Sequence, residues 1–511
     1  RRSSHHASTT SAPNTTTTTT TRATTAATVA PGLCETATVG RSPSERRTSN
    51  AGAAHDSGSV SSWPMWVLGL VIMVDQIDQN VVRGVVDQLK IEFGINDAQI
   101  GVLLSAFVLV NGLVTVPAGY LADRWNRTRT IGHTVLGWSF ITMLTAAANS
   151  FATLVGLRAL LGFGQAITEP SAASLLSDYY PTSRRGRVFS NQQVMGFIGF
   201  GLGIALGGAV GSALGWRAAF LVVGPPSIVV AFLAYALREP ARGHGDRLHV
   251  GAAPDEPVEH VALFEHGFRR FVVDMTRGLR EDFRTIWQIT TLRYALVGVS
   301  ALMFTVAGIG AWLPQFHERF SGMSEKQATA TVGALIIFGG IPGVLLGGRL
   351  ADRFATRVKG ARVVIPAYCI FVGNTILILS YLPVPAWSSV CLQLLGIFAI
   401  TSAIPALRAG MADAVPAHLR GAGFGAFNLV SILFGAAAAP IIVGALADVW
   451  NLRVAFLIVS PPVYIGAWIL YLARNHLDAD AMKIFEAVMR AMQVDQERAG
   501  VDSTGGEADG T

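Results

Sequence analysis

Twelve stretches of about 20 apolar residues, divided by short polar or Pro/Gly breaks, leave this chain few ways to fold. A helix needs about 20 such residues to cross the hydrocarbon core, and it satisfies its own backbone groups while doing so. The stretches predict spans at 63–86, 98–122, 130–149, 151–178, 188–213, 216–237, 293–317, 327–351, 361–382, 386–413, 421–447 and 453–473. Composition agrees: of 511 residues 51% are hydrophobic and 14% charged, with a mean hydropathy of +0.45. A soluble domain carries about 25% charged residues. The 54 glycines suit helices that pack closely without a hydrophobic drive between them. The expected fold is an all-α membrane protein of twelve transmembrane helices.

The net charge of +6 comes mainly from arginines in short loops between apolar runs, which points away from nucleic acid. Those loops also set orientation. Arg124, Arg127 and Arg129 follow span two, Arg184, Arg185 and Arg187 follow span four, and Arg353, Arg357, Lys359 and Arg362 follow span eight. The loop after span one holds Asp87, Glu92 and Asp97 against Lys90. Even-numbered spans are therefore expected to end in the cytoplasm, with both termini cytoplasmic and the plasma membrane as the location. Residues 1–60 are Thr/Ala/Ser-rich and are expected to be disordered, since they bury too little to offset ordering entropy. They hold no signal-peptide-like stretch, and because the chain begins with Arg1 rather than Met the true start is expected to be missing or misassigned. Residues 61–240 form a first half, 241–292 a cytoplasmic linker, 293–474 a second half and 475–511 a cytoplasmic tail. From Phe264 to Ile286 apolar residues recur at helical spacing among arginines, predicting an amphipathic helix on the membrane surface. Cys34, Cys369 and Cys391 form no disulfide framework, and His5–His6 in a tail are not a metal site.

The chain repeats itself. Gly119-Tyr-Leu-Ala-Asp123-Arg124 returns as Gly348-Arg-Leu-Ala-Asp352-Arg353. Asp178-Tyr-Tyr-Pro181 with Arg185-Gly186 returns as Asp413-Ala-Val-Pro416 with Arg420-Gly421, and Arg217-Ala-Ala-Phe220 with Pro225-Pro226 as Arg453-Val-Ala-Phe456 with Pro461-Pro462. The order is kept at a nearly constant offset of about 230 residues. Six spans per half is an even number, so the two six-helix halves are pseudo-symmetric and form a parallel repeat.

Over residues 60–475 the pattern resembles the major facilitator superfamily, most specifically through Gly119 to Arg127. Within it the chain resembles Spinster-type transporters, related to organic-anion symporters. The residues are Gly84-Val-Val, Trp138-Ser139 with Thr142, the Arg238–Gly243 exit, and Val415-Pro416 with Leu419-Arg420-Gly421. The chain departs from that pattern at Asp78-Gln79, where an Asp-Arg pair is usual, and at Gly162-Phe-Gly164-Gln165, where the last residue is usually Glu. Span five also lacks the Pro of the antiporter signature. The resemblance implies a gate built on Gly119, Asp123, Arg124, Arg127, Gly348, Asp352 and Arg353, with the helix start near Arg420-Gly421 favouring an anion such as Asp123.

Ionisable side chains in mid-membrane cost at least about 2.5–3.5 kcal/mol, so each carries a functional expectation. Span one holds Asp75, Gln76, Asp78, Gln79, Asn80 and Arg83. At about 100° per residue these cover an arc of roughly 200°, too polar for lipid, so the arc is expected to line an aqueous cavity with Asp78 as the titrating group. The alternative is an internal ion pair of Asp75 or Asp78 with Arg83. In span four Arg158, Gly162, Gln165 and Glu169 fall on one helical stripe. Glu169 there either replaces the missing Glu one turn on, or pairs with an Arg or caps a kink before Pro170. At 1.5 Å per residue Asp78 lies about 22 Å from the start of span one and Arg158 about 12 Å from the outer end of span four, depths that allow them to pair. Protonating Asp78 would then free Arg158 for an anion. Arg408 in span ten is a second anion contact or a structural pair with Asp413.

The expected function is secondary transport by alternating access, with a proton as coupling ion and a small organic or lipid-like amphipathic anion as substrate. A multidrug or organic-anion transporter is the runner-up, and a transporter-like sensor without flux the reading from another class. No Gly-x-x-x-x-Gly-Lys-Ser/Thr motif, His-rich box or nucleophile–base set suggests ATP use or an enzyme. No cofactor is expected, and the partners are substrate, proton and membrane lipid around a monomer.

Overall fold

The computed structural model describes residues 61–122, 126–180, 182–240, 287–355, 360–413 and 429–477, with isolated positions at 269–284 and 479–482. Contacts set Val60–Thr511 apart from Arg1–Ser59. The latter segment lies outside the described residues, as do most of the expected surface helix at 264–286 and the end of the tail. Among the described residues there is helix and no strand.

The helices follow the expected spans closely: Trp63–Phe93, Asp97–Ala122, Arg127–Thr145, Phe151–Tyr179, Thr182–Leu214 and Trp216–Tyr235 in the first half, then Thr290–Ser321, Glu325–Leu350, Ala361–Tyr381, Ala386–Asp413, Leu429–Val449 and Leu452–Leu477. Among the described residues eleven helices are both long and apolar enough to cross a bilayer. The twelfth, span three, is a helix of 19 residues whose first turn carries Arg127 and Arg129, and these polar residues lower its hydropathy. Side chains start several of these helices by accepting a free backbone N–H of the first turn. Asn126 accepts from Arg129, Ser150 from Thr153 and Asn451 from Val454, while Ser324 and Gln327 form a capping box.

Among the described residues several helices are locally irregular. Span one passes through a 3₁₀ turn at Val82–Val85, span four breaks at Ala166–Ile167 just before Pro170, and spans eight and eleven carry π-turns at Ile336–Gly340 and Ile432–Ala436. The duplicated Pro pair acts differently in the two halves. Pro225-Pro226 sits inside an unbroken helix, whereas Ser460-Pro461 divides span twelve into Leu452–Val459 and Pro462–Leu472.

Span five positions the site because it packs on two sides at backbone distance. A Cβ at Gly199, Gly203 or Gly207 would collide with the carbonyl oxygens of Met73, Ile77 and Val81, so these glycines let span one lie directly against span five. On the opposite face, a Cβ at Gly201 would come within 2.5 Å of the carbonyl of Gly333 in span eight. Span two meets span eleven in the same way, with Gly101 against the Pro440 carbonyl at 2.5 Å from an added Cβ. One apolar cluster lies wholly in the first half, around Val67, Leu68, Trp138, Leu161, Leu175 and Ala231. A larger one joins the halves, placing Val81, Val85, Ile100 and Leu103 with Ala311, Leu313, Val332 and Val443.

The described polar contacts between the halves cluster on the side away from the basic loops. Asp97, at the start of span two, is buried and accepts two hydrogen bonds from Arg319 of span seven, at 2.7 and 3.0 Å, as well as pairing with Lys90. Asp448 of span eleven accepts from the backbone N–H groups of Asp97 and Ala98 at 3.0 and 2.9 Å, satisfying two orphan donors of the helix start. Gln88 donates to Glu325 at 2.8 Å. In the second half the tail closes on span seven, where Asp480 accepts from the N–H and hydroxyl of Thr291 at 2.9 and 2.8 Å.

Candidate functional site

The polar arc of span one faces spans three, four, five and seven. Asp78 is 1% exposed, and its Oδ2 accepts from the Thr142 hydroxyl of span three at 2.6 Å and from Gln165 Nε2 of span four at 3.1 Å. Its Oδ1 is buried and has no hydrogen-bond partner, and neither has the Gln165 Oε1. Asp75, one turn earlier, accepts from Gln79 at 2.7 Å and more distantly from Gln76 at 3.5 Å, while its Oδ1 is also unpartnered. Asn80 turns back to the carbonyl of Gln76 at 2.8 Å.

Arg158 is 2% exposed and lies over the Phe220 ring, 5.0 Å from its centroid. It donates one bond, Nη1 to the backbone carbonyl of Asp78 at 3.3 Å, and leaves Nε and Nη2 without partners. Arg158 and Asp78 are thus electrostatic neighbours whose charged groups are not in contact. Among the described residues no ion pair joins either Asp75 or Asp78 to Arg83. The Arg83 guanidinium lies over Phe200 of span five at 5.0 Å, with Nε unpartnered. Its backbone carbonyl accepts from Gln315 of span seven at 3.4 Å, so span one touches the second half at this residue. The cluster holds two buried carboxylates and two guanidiniums, each with at least one polar atom unsatisfied. Buried polar atoms left so are costly.

The span-four stripe reaches Gln165 and then changes. The break at Ala166–Ile167 turns the following helix so that Thr168 is buried and Glu169 exposed. Glu169 remains within electrostatic reach of Asp75, at the open edge of the cluster. Arg408 is exposed on span ten, and among the described residues no hydrogen bond or ion pair brings it to the cluster.

Of the motif residues, Asp123 and Arg124 lie outside the described residues, and so do the side chains near Gly119 and that of Asp352. Gly348 lies in span eight, where an added Cβ would sit 3.6 Å from Pro405, and Arg353 is exposed. Arg127 is 1% exposed and ties the first half to itself. It pairs with Asp178 at the end of span four and with Glu239 after span six at 2.7 Å, and it also donates to Ser174 at 3.0 Å and the Pro240 carbonyl at 3.2 Å. Glu239 also accepts from the Thr128 N–H at 2.9 Å, closing the start of span three.

Sequence reasoning passed over a polar network in the second half. His317 is fully buried, with Nε2 against Gln393 Oε1 at 2.8 Å and Nδ1 against Ser321 at 3.1 Å; Gln393 continues to Ser389 at 3.2 Å. Its signal was a His and a Gln placed inside otherwise apolar runs. The knot at Asp97 left only the general signal of charges at span ends.

Residues 68–433 match the Major Facilitator Superfamily model. A probable sulfoacetate transporter of Cupriavidus necator is 25% identical over 381 residues, covering 72% of this chain and 85% of that one. Protein spinster of Drosophila melanogaster is 25% identical over 329 residues, covering 62% of this chain and half of that protein. In three dimensions the chain is similar to a bacterial homologue of the human lysosomal transporter Spinster in an inward-facing, unoccupied conformation. The TM-score is 0.68 at 22% identity, over 83% of this chain and 99% of the other. These relatives are transporters and not enzymes, and with its repeated six-helix halves this chain belongs to the Major Facilitator Superfamily.

Proposed function

We propose that the protein carries a small organic anion across the membrane by alternating access, and that Asp78 couples this movement to a proton. The observation that carries the reading is the state of Asp78. Its carboxylate is buried, held on one oxygen by Thr142 and Gln165, bare on the other, and close to an Arg158 whose guanidinium does not touch it. An ionised Asp78 holds Arg158 electrostatically. A proton on the carboxyl group removes that attraction, and the freed guanidinium then takes the anion, so proton and substrate load together. The sulfoacetate named for one relative is an organic anion of the kind such a guanidinium binds.

Asp75 and Glu169 extend the acidic side of the pathway towards its open edge, and Arg408 supplies positive charge at the facing span. The basic loops assign their side to the cytoplasm, with both termini there, in the plasma membrane. The inter-half contacts around Asp97 then seal the outer side, leaving the site open inward. Asp123, Arg124, Asp352 and Arg353, with the glycines at 119 and 348, form the cytoplasmic latch that closes when the halves rock the other way, while Arg127 holds the first half's own end together. The chain works as a monomer, since each protomer holds a complete pathway.

Flux into reconstituted vesicles tests the reading, with and without an inward proton gradient, over a panel of organic anions, lysolipids and cationic drugs. Asp78→Asn is expected to abolish gradient-driven accumulation and to spare exchange of anion for anion. Accumulation at the wild-type level in that variant removes Asp78 from the coupling step.

A further inference from the structure

The two guanidiniums of the cluster, Arg158 buried and Arg83 half-buried, are electrostatic neighbours, and among the described residues neither makes an ion pair with a carboxylate. Asp78 gives its carboxylate oxygen to Thr142 and Gln165 and offers Arg158 only its backbone carbonyl. Asp75 is occupied by Gln79 and Gln76. Arg158 keeps Nε and Nη2 free, and Arg83 keeps Nε free. Two like charges set side by side away from water repel, and burial strengthens that repulsion. Such an arrangement is relieved by a partner that brings two negative charges.

The space beside Arg83 points the same way. A Cβ built on Gly310 of span seven meets only the Arg83 Nη1, at 3.9 Å, and nothing else within 4 Å. The guanidinium therefore borders open room at the seam of the two halves, held there by the Phe200 ring below it and the Gln315 bond to its carbonyl. Arg158 bonds the carbonyl of Asp78, five residues before Arg83, an axial offset of about 7.5 Å at 1.5 Å per residue.

We propose that Arg83 is a second anion contact which, together with Arg158, selects substrates carrying two anionic groups a few carbons apart, such as short dicarboxylates or sulfocarboxylates. The proposal rests on the reading of Arg158 as the first anion contact. One group of the substrate takes Arg158 deep in the first half, and the other takes Arg83 against Gly310 of the second half. The bound molecule thereby spans the seam, so that its two charges are both met only when spans one, four and seven are correctly disposed. Charge-assisted bonds from guanidinium to carboxylate or sulfonate are shorter and stronger than neutral ones, so the second contact weighs heavily in selection.

Ligand-induced thermal stabilisation of the purified full-length protein near neutral pH tests this without requiring flux. The probes are succinate and sulfoacetate against the chain-matched monoanions butyrate and acetate. For the wild type, half-saturation by succinate is expected at a concentration at least about tenfold below that for butyrate, the worth of one charge-assisted bond. In Arg83→Gln that ratio should fall below about threefold with butyrate binding retained, and Arg83→Lys should recover part of it. Gly310→Leu fills the room beside Arg83 without touching Arg158 and should lower the same ratio, which keeps the test valid if the charge variant does not fold. Equal binding of succinate and butyrate by the wild type, or an unaltered ratio in Arg83→Gln or Gly310→Leu, overturns the two-charge proposal alone. Failure of all four probes to bind removes the organic-anion reading beneath it as well.

Discussion

Replacing Asp97 by Asn should loosen the side of the protein that the described contacts close. Asp97 receives Arg319 through two bonds and Lys90 through a third, and Asp448 of the second half grips its N–H, so one residue collects the polar ties between span two and spans seven and eleven. The Asp97 side chain is 4% exposed and that of Arg319 30%. Removing one partner of a fully buried pair costs about 3–5 kcal/mol. An exposed pair is worth about 0–1 kcal/mol. With one partner sealed and the other three-tenths open, the loss falls near 2 kcal/mol, which is roughly a 30-fold change in an equilibrium. That loss acts on the closed arrangement, because separating spans two and seven already breaks the pair. Spin labels at Ile91→Cys and Lys326→Cys, with the native cysteines replaced, read the separation of the two halves on this side. Both positions are exposed. The wild type should give a short distance, and Asp97→Asn a second, longer one in substantial amount. Arg319→Gln should do the same, and the double variant no more than either alone. Superimposable distance distributions for the wild type and Asp97→Asn, or fully additive effects in the double variant, refute the latch.

Two further outcomes follow from packing and charge in the first half. Gly207→Val places two methyl groups where the carbonyl of Val81 lies, so span one is pushed off span five; a loss of thermal stability worth about 1–3 kcal/mol or more is expected, with flux falling alongside, and unchanged melting and flux would mean that these helices do not pack at backbone distance. Arg127→Gln strips two carboxylates, Asp178 and Glu239, of their buried partner, and a destabilisation of about 3–5 kcal/mol is expected in thermal or denaturant unfolding; Glu239→Gln, whose side chain is 23% exposed, should cost clearly less, and the reverse order would show that Arg127 is not the centre of this knot.

Helix positions were legible because bilayer thickness and backbone satisfaction impose length on every span, and the duplicated motifs fixed the six-plus-six order without any contact being known. Span three shows the limit of hydropathy: its polar first turn is sheltered by Asp178 and Glu239, partners that lie 51 and 112 residues from Arg127. In span one the sequence picked out a polar arc, yet the partners of its members were not readable. Thr142 is an ordinary hydroxyl in an apolar run until the fold brings it 2.6 Å from Asp78. Simple periodicity continued the span-four stripe through Glu169, which is exposed beyond the break at Ala166–Ile167 and still within electrostatic reach of Asp75. The alternative of an aspartate paired with Arg83 is not seen among the described residues, where the guanidinium lies over Phe200 of span five. Side-chain chemistry announces that a site exists, and long-range packing decides which atoms meet.

In the proposed coupling scheme, Gln165 takes the place of the second carboxylate that the Spinster pattern has there. A carboxylate at that position would share a buried proton with Asp78, and two such groups cannot both ionise at close range. An amide carries no charge, so it adds no further carboxylate to the neighbouring Asp75 and Asp78. The amide also serves both states of its neighbour. With Asp78 ionised, Nε2 donates to Oδ2, as the 3.1 Å bond records. With Asp78 protonated, the new O–H needs an acceptor, and the Gln165 Oε1 is buried, unpartnered and attached to the same rotatable amide. A half-turn of one side chain therefore satisfies either form of Asp78, while Thr142 keeps the carboxyl group in place. The two departures from the Spinster pattern both meet span-one carboxylates, Gln79 partnering Asp75 at 2.7 Å and Gln165 partnering Asp78, so in the proposed cycle the charge change falls on Asp78 and the two guanidiniums.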